Sequence, residues 1–268
     1  YAAAGKVSAD GPVPRTPGGE ATGFLDGLPV LVYGGGVGSS RDGVFATAAV
    51  VPAGAVFELP AGVALDEAAA LGVVGLTAWR VVEIAAIGPG DRVLVLGAGG
   101  GVGQSAVSYA ASKGAQVWGQ TARAEKADAI KEFGAEKVVV ADAAGLADAV
   151  REFAPTAVID PLGGEFTASA LGSIAPRGRL VLFGTSSGVT AQIQLQRLYR
   201  NQIQLLTYAG LIATPEERRA GLGHTISEFA AGRLRIRVGM RLPLEAVNDA
   251  FAALANRRVV GKVVLELR

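Results

Sequence analysis

The stretch from Val93 to Ser112 constrains this chain more than any other. It runs for twenty residues without a charge and holds five glycines, together with Gln104, Ser105, Ser108 and Ser112. A run of that length is enough to cross a bilayer. Its glycines, however, cluster between Gly97 and Gly103 and interrupt any single helical period. The sequence therefore predicts a short apolar strand over Arg92–Leu96 (RVLVL), a tight glycine turn, and a helix over Val102–Lys113. In that helix Val102, Ala106, Tyr109 and Ala110 recur at helical spacing. Gly114 supplies the stop, as a glycine just past a helix C-terminus often does.

The alternation then repeats. Strands are predicted over Gln116–Gln120, Lys137–Val140, Thr156–Asp160, Arg179–Phe183 and Gln202–Thr207. Helices are predicted over Ala124–Phe133, Leu146–Phe153 and Glu165–Ile174. Six strands with intervening helices are what a doubly wound parallel sheet requires. The flanks read differently. Residues 1–76 are rich in Gly and Pro with short β-like runs at Val30–Tyr33 and Val44–Val51. The tail predicts helices over Glu216–Ala231 and Leu244–Ala255, then a strand over Lys262–Leu267. Both flanks are assigned to a second, β-rich domain, giving divisions at 1–76, 77–212 and 213–268.

A glycine turn between a strand and an amphipathic helix, inside a βαβ unit, is the setting of a dinucleotide-binding fingerprint. Counted from Gly97 the third glycine would fall on Val102, which fails. Counted from Ala98 the frame reads A-x-G-x-x-G, with Gly100 and Gly103 in place. Gly100 would admit the pyrophosphate to the backbone, and Gly103 would let the helix pack on the strand. The free N–H groups at the helix start, Gly101 and Val102 among them, would face the phosphates. The alternative is a glycine turn that binds nothing. The acid that holds the ribose of NAD is expected about 20 residues on. Val117–Ala122 contains none; Thr121 occupies that place, and Arg123 and Lys126 follow. Two cations there suit a 2′-phosphate and so NADP(H), the alternative being a solvated pair at a helix start.

Composition removes other classes. With 25 basic and 24 acidic residues, the net charge of +1 gives no basis for binding nucleic acid or an anionic membrane. The chain has no cysteine and a single histidine, His224, so disulfides, thiolate zinc sites and multi-histidine clusters are excluded, and no metal is expected. His224 lies off the Leu222/Ile226/Phe229 face of its predicted helix and reads as a solvated residue. No signal-like segment is visible, and a cytoplasmic location is the default reading. The chain starts at Tyr1 rather than methionine, so Tyr1 is not expected to be the encoded start.

The order of GLTAW (Gly75–Trp79), PGDRVLV (Pro89–Val95), GAGGGVG (Gly97–Gly103), DPLGG (Asp160–Gly164), GRLVLFG (Gly178–Gly184) and GKVVL (Gly261–Leu265) resembles the medium-chain dehydrogenase/reductase superfamily. The chain is most similar to its zinc-free quinone oxidoreductase, or zeta-crystallin-like, branch. The resemblance implies an α/β fold: a Rossmann doubly wound parallel sheet plus a GroES-like β-rich catalytic domain formed by both chain ends. It also implies an NADPH-dependent, metal-independent oxidoreductase passing a hydride to a quinone or an α,β-unsaturated carbonyl. Two alternatives remain: an enoyl-thioester or carbonyl reductase, and a cofactor-binding protein without turnover. The implied partners are a small-molecule substrate and, as one open arrangement, a second copy in a homodimer.

The same resemblance puts Thr77, Phe183, Gly184 and Thr185 near the nicotinamide, and Leu162 of DPLGG in the cofactor site. Gly100, Gly101, Val102 and Gly103 would line the pyrophosphate, with Thr121, Arg123 and Lys126 at the 2′-phosphate. Tyr1 falls where this branch often has an active-site tyrosine, with a frayed terminal residue as the equal alternative. Two departures stand out. Gly18-Gly19-Glu20 replaces the Gly-His-Glu of zinc-dependent relatives, and Ala141 replaces a tyrosine after the third Rossmann strand. Relatives also have strands before the position of Tyr1 and a longer passage between the equivalents of Gly23 and Leu31. On that basis the N-terminal barrel is expected to be incomplete.

Overall fold

The computed structural model describes residues 14–256 and 258–267. Its centre is a six-stranded parallel sheet built from β4 (Arg92–Val95), β5 (Gln116–Thr121), β6 (Lys137–Val140), β7 (Ala157–Asp160), β8 (Arg179–Leu182) and β9 (Gln204–Thr207). Ahead of these in the chain lie β1 (Glu20–Leu25), β2 (Leu28–Tyr33) and β3 (Val56–Glu58). The strand order β6-β5-β4-β7-β8-β9 reverses direction of travel between β4 and β7. This is the doubly wound arrangement that the alternation of strand and helix predicts.

Side-chain period explains why the sheet is covered on both sides. Val93 and Val95 of β4 enter one core with Ala157 and Ile159 of β7. Their neighbours Leu94, Leu96 and Val158 enter another. Successive residues of a strand point to opposite faces, so a strand buried on both reads as a continuous apolar run. Short α1 (Leu65–Ala68) precedes α2 (Leu76–Ile84), and α3 (Gly101–Ser112) and α4 (Ala127–Lys131) follow β4 and β5. Leu76, Ala78, Ala106, Val107 and Ile130, from α2, α3 and α4, line the first core. On the other face, α5 (Ala143–Ala149) and α6 (Gly164–Ser173) contribute Leu146, Ala170 and Leu171.

The element bounds differ from expectation in instructive places. Gln202, expected to open a strand, is the left-handed cap (φ 53°) of an unpredicted helix, α7 (Leu195–Asn201), and the strand starts two residues later. Residues 44–51 form no strand. Val44 and Phe45 donate instead to the carbonyls of Gly18 and Pro17, and Val50 is exposed. Between Gly23 and Leu31, where relatives have a longer passage, this chain makes a tight hairpin. Gly23 pairs directly with Val30, and the strands turn at Asp26 and Gly27, both with positive φ (50° and 81°), as a two-residue hairpin of the Asp-Gly type requires.

The tail supplies α8 (Pro215–Ala230), β10 (Val238–Pro243), α9 (Val247–Ala255) and β11 (Lys262–Glu266). β10 and β11 pair in parallel, apart from the β1-β2-β3 sheet. Glu20 of β1 reaches across to Lys262 of β11 at 2.6 Å, and its second oxygen accepts from the N–H of Val73 at 2.8 Å. Val73 belongs to a single π turn, Leu71–Gly75, that runs into α2. No helix among the described residues is long and apolar enough to cross a membrane.

Candidate functional site

The loops that leave the carboxyl ends of β4, β7 and β8 converge at the point where the strand order reverses. Open α/β sheets bind ligands in the crevice at such a point. After β4 the chain turns at Gly97 (φ 58°), and Gly100 caps α3 in extended conformation without any side-chain hydrogen bond. The first N–H groups of a helix have no partner within it. Here no side chain takes that role at the N-cap, so an anion is suited to it. Gly103 must be a glycine: a Cβ there would lie 2.5 Å from the Gly97 carbonyl oxygen and 2.7 Å from Ala98 Cα, both backbone. Gly101, at the start of the same helix, is also held small by packing. A Cβ on it would meet Val74 of the π turn at 3.2 Å, so its small size seats α3 against the segment leading into α2.

Behind the turn stands a residue that sequence reasoning passed over. Gln120 is 1% exposed; its Oε1 accepts from the Gly97 N–H at 3.0 Å and its Nε2 donates to the Ala141 carbonyl at 2.6 Å. It ties the glycine turn to the end of β6. The available signal was a polar residue near the end of an otherwise apolar strand. The loops after β7 and β8 are zipped to each other: Ser187 N–H donates to the Leu162 carbonyl at 2.7 Å, and Gly163 bridges Gly188. Asp160, fully buried, holds the first of these loops by accepting from the N–H groups of Leu162 (2.7 Å) and Gly163 (3.2 Å) and from the Thr167 hydroxyl. Burial pushes its carboxyl above the usual carboxylate range, against the pull of those three bonds.

A cavity of about 150 Å³ lies between these loops. Gly100, Thr121, Arg123, Lys126 and Leu162 all line it, so five of the expected site residues meet there, joined by Gln120, Phe166 and Ser187. Thr121 is buried and its hydroxyl accepts from the Arg123 N–H at 3.1 Å, which fixes the chain as it leaves β5. Arg123 has only long contacts, to Glu125 Oε1 and the Asn256 carbonyl, each at 3.4 Å. Lys126 donates to the Val259 carbonyl at 2.8 Å, and its side chain lies over Gly99, where a Cβ would meet it at 2.6 Å. Val102 and Gly103 continue α3 beyond the cavity. Gly184 packs on the Pro161 carbonyl, which sets Phe183–Thr185 against the loop after β7. Thr77 stands apart, half-buried in the first turn of α2, and Tyr1 lies outside the described residues. His224 is exposed as expected, but it also stacks on Trp79 with ring centroids 5.3 Å apart.

A sequence profile for a family described as zinc-binding dehydrogenase matches residues 101–221. The chain is 29% identical over 287 residues to the human synaptic vesicle membrane protein VAT-1 homolog, spanning 95% of this chain and 72% of that protein. A mycobacterial quinone oxidoreductase of known structure superposes with a TM-score of 0.77 at 30% identity, over 91% of this chain and 76% of that one. A mycobacterial protein solved in complex with NADPH gives 0.80 at 29% identity, over 94% and 84%. The chain belongs to the medium-chain dehydrogenase/reductase superfamily, in its quinone oxidoreductase branch, and is an oxidoreductase. Its α/β architecture is that family's pairing of a Rossmann unit with a GroES-like part.

Proposed function

We propose that the chain binds NADPH at the carboxyl edge of the six-stranded sheet and reduces quinones or α,β-unsaturated carbonyls without a metal. The observation that carries the cofactor reading is the corner made by Thr121, Arg123 and Lys126: two cations and no carboxylate line the cavity beside the glycine turn. A carboxylate there would pair with the ribose hydroxyls of NAD and repel a phosphate. Cations favour the phosphate instead, and a guanidinium can take it with two parallel hydrogen bonds. The uncapped start of α3 is suited to the pyrophosphate. Likeness to a protein solved with NADPH and to a quinone oxidoreductase supports the same reading.

When bound, a reduced nicotinamide supplies the hydride. The residues of this chain orient it: Arg123 and Lys126 at one end, Thr77 and Phe183–Thr185 at the other. Orientation of this kind removes the entropic part of the barrier. The acceptor's oxygen or α carbon would take its proton from water or from a hydroxyl such as that of Tyr1. In this reading residues 77–212 form the cofactor domain, and 1–76 with 213–268 the catalytic one. The test is a panel of quinones and enones with NADPH, set beside saturated alcohols with NADP+. Oxidation of NADPH by the quinones or enones is expected. Turnover of the alcohols alone would overturn the acceptor class.

A further inference from the structure

A second cavity, of about 560 Å³, opens one strand further along the same sheet edge. Sites for small organic ligands usually span about 300–1,000 Å³. This one lies between α2, the segment Thr207–Ala213 that leaves β9, and the first turns of α8. The Tyr208 N–H donates to the Leu182 carbonyl at 3.0 Å, immediately before Phe183. The cavity therefore begins beside the loop we assign to the nicotinamide end, and Leu76, next to Thr77, lines it from α2.

Its lining combines flat apolar surface with two arginines set against one carboxylate. Leu76, Trp79 and Tyr208 give the surface; Arg80 and Arg218 give the charge. Among the described residues Arg123, Arg151, Arg179, Arg233, Arg237 and Arg241 each pair with a carboxylate. Among the described residues, neither Arg80 nor Arg218 pairs with a carboxylate. Arg218 makes long hydrogen bonds to the carbonyls of Gly210 (3.4 Å) and Ala213 (3.3 Å), and its guanidinium lies 5.9 Å from the centre of the Tyr33 ring. The lining carboxylate, Glu217, forms an ion pair with neither arginine among the described residues; one of its oxygens accepts from the Thr214 N–H at 2.9 Å in the capping box that starts α8, which leaves two cations to one anion. Both arginines act on the Tyr208 hydroxyl. Burial pushes that group above its ordinary value, and the two guanidiniums pull it back.

We infer that this cavity is the acceptor pocket and that it selects acceptors carrying an anionic group, a carboxylate on a flat apolar body, with Arg80 and Arg218 binding the anion. The inference rests on the proposed hydride transfer for its acceptor chemistry. The matched probes are 3-benzoylacrylate, an enone acid, and its methyl ester. In each, the carbon β to the ketone takes a hydride from reduced nicotinamide and the α carbon takes a proton from solvent, leaving the saturated ketone and NADP+.

The acid is expected to show a KM roughly tenfold below that of the ester, the worth of one charge-assisted hydrogen bond. Arg80→Ala should erase that ratio, Arg80→Glu should invert it, and Arg80→Lys should restore part of it. Arg80 is exposed, so these variants are expected to fold. Calorimetry with the saturated acid 4-oxo-4-phenylbutanoate gives a readout without turnover: heat of binding in the wild type, lost in Arg80→Ala. Equal KM values for acid and ester, or a preference that survives Arg80→Ala, would overturn the anion site while leaving the hydride transfer standing. If neither probe oxidises NADPH but the keto acid binds and Arg80→Ala abolishes it, the anion site stands and the proposed reaction falls. If the keto acid gives no heat with the wild type, the site is wrong.

Discussion

The two edges of the six-stranded sheet are built from the same strands and treated in opposite ways. At the amino edge a cluster around Asp91, Arg179 and Arg92 is densely bonded. Asp91 accepts both terminal nitrogens of Arg179, at 2.7 Å each, together with the Thr156 hydroxyl at 2.8 Å and the Gly88 N–H at 3.0 Å. Arg179 Nε donates to the Ala85 carbonyl at 2.6 Å, and Arg92 clasps the carbonyls of Phe153 and Ala154. At the carboxyl edge, α3 starts uncapped, Arg123 holds only 3.4 Å contacts, and a cavity separates the loops. One edge closes the fold, and the other keeps bonding capacity in reserve for a ligand.

The largest effect expected from this contrast is at the amino edge. Arg179→Ala strands a carboxylate that is only 16% exposed and removes side-chain bonds to three backbone carbonyls. Removing one member of a fully buried pair costs about 3 kcal/mol or more, because the remaining charge keeps its desolvation cost; for this partly buried pair a loss of about 2–3 kcal/mol is expected. The urea midpoint should fall accordingly at unchanged slope. Arg123→Ala, at the other edge, should stay within about 0.5 kcal/mol of the wild type. A small loss at Arg179 would break the comparison.

The same cluster fixes a pH dependence. Burial alone would push the Asp91 carboxyl up; the bonds from Arg179, Thr156 and Gly88 outweigh it and hold the group below its ordinary value. Its contribution is therefore complete above the ordinary aspartate pKa of about 3.9 and is lost as the pH falls through the lower, folded value. Urea midpoints between about pH 5 and 2 should show the acid decline in the wild type and a shallower one in Asp91→Asn.

An intermediate effect is expected at Gly103. The added methyl of Gly103→Ala meets backbone at 2.5 and 2.7 Å, which does not yield. Overpacking costs about 1–3 kcal/mol, and the better helix propensity of alanine returns about 1 kcal/mol. A net loss of about 1 kcal/mol is expected, with nicotinamide-cofactor binding lost in fluorescence titrations. Gly223 in the middle of α8 is the control, since a Cβ there meets nothing within 4 Å. Gly223→Ala should gain stability and leave cofactor affinity alone. If both variants behave alike, crowding at the turn is not what the glycine prevents.

The central strands were legible because each is a short apolar run bounded by glycines or charges, and β4 and β7 are buried on both faces. The glycine turn was legible for the same local reason. What the sequence hid depends on distant partners. Val44–Val51 looks like a strand by composition, but Val44 and Phe45 spend their N–H groups on Gly18 and Pro17. Gln120 reads as an ordinary polar residue until Gly97 and Ala141 are brought to its two ends. The π turn at Leu71–Gly75 has no local signature, since its residues read as a plain apolar run into α2. Arg123 and Lys126 were found from spacing alone, yet their inequality appears only once the tail residues Asn256 and Val259 lie beside them.

That inequality sets the smallest and most specific prediction. Arg123 gives up two 3.4 Å contacts when it turns to a phosphate, whereas Lys126 gives up a 2.8 Å bond to the Val259 carbonyl. A charge-assisted hydrogen bond is worth about 1.5–3 kcal/mol net, and what is surrendered must be subtracted. Arg123 should therefore carry more of the 2′-phosphate affinity than Lys126. Arg123→Ala is expected to weaken NADPH roughly tenfold to a hundredfold and to leave NADH nearly unchanged; Lys126→Ala should weaken NADPH less. Adding Thr121→Asp to Arg123→Ala should then favour NADH, because a carboxylate at the end of β5 can still accept the backbone N–H of residue 123 while repelling a phosphate. Dissociation constants for both cofactors, from fluorescence titration of the four proteins, decide it. A wild type that prefers NADH, or an Arg123→Ala variant that weakens both cofactors equally, would mean that this corner holds no phosphate and that the reserve at the carboxyl edge serves another ligand.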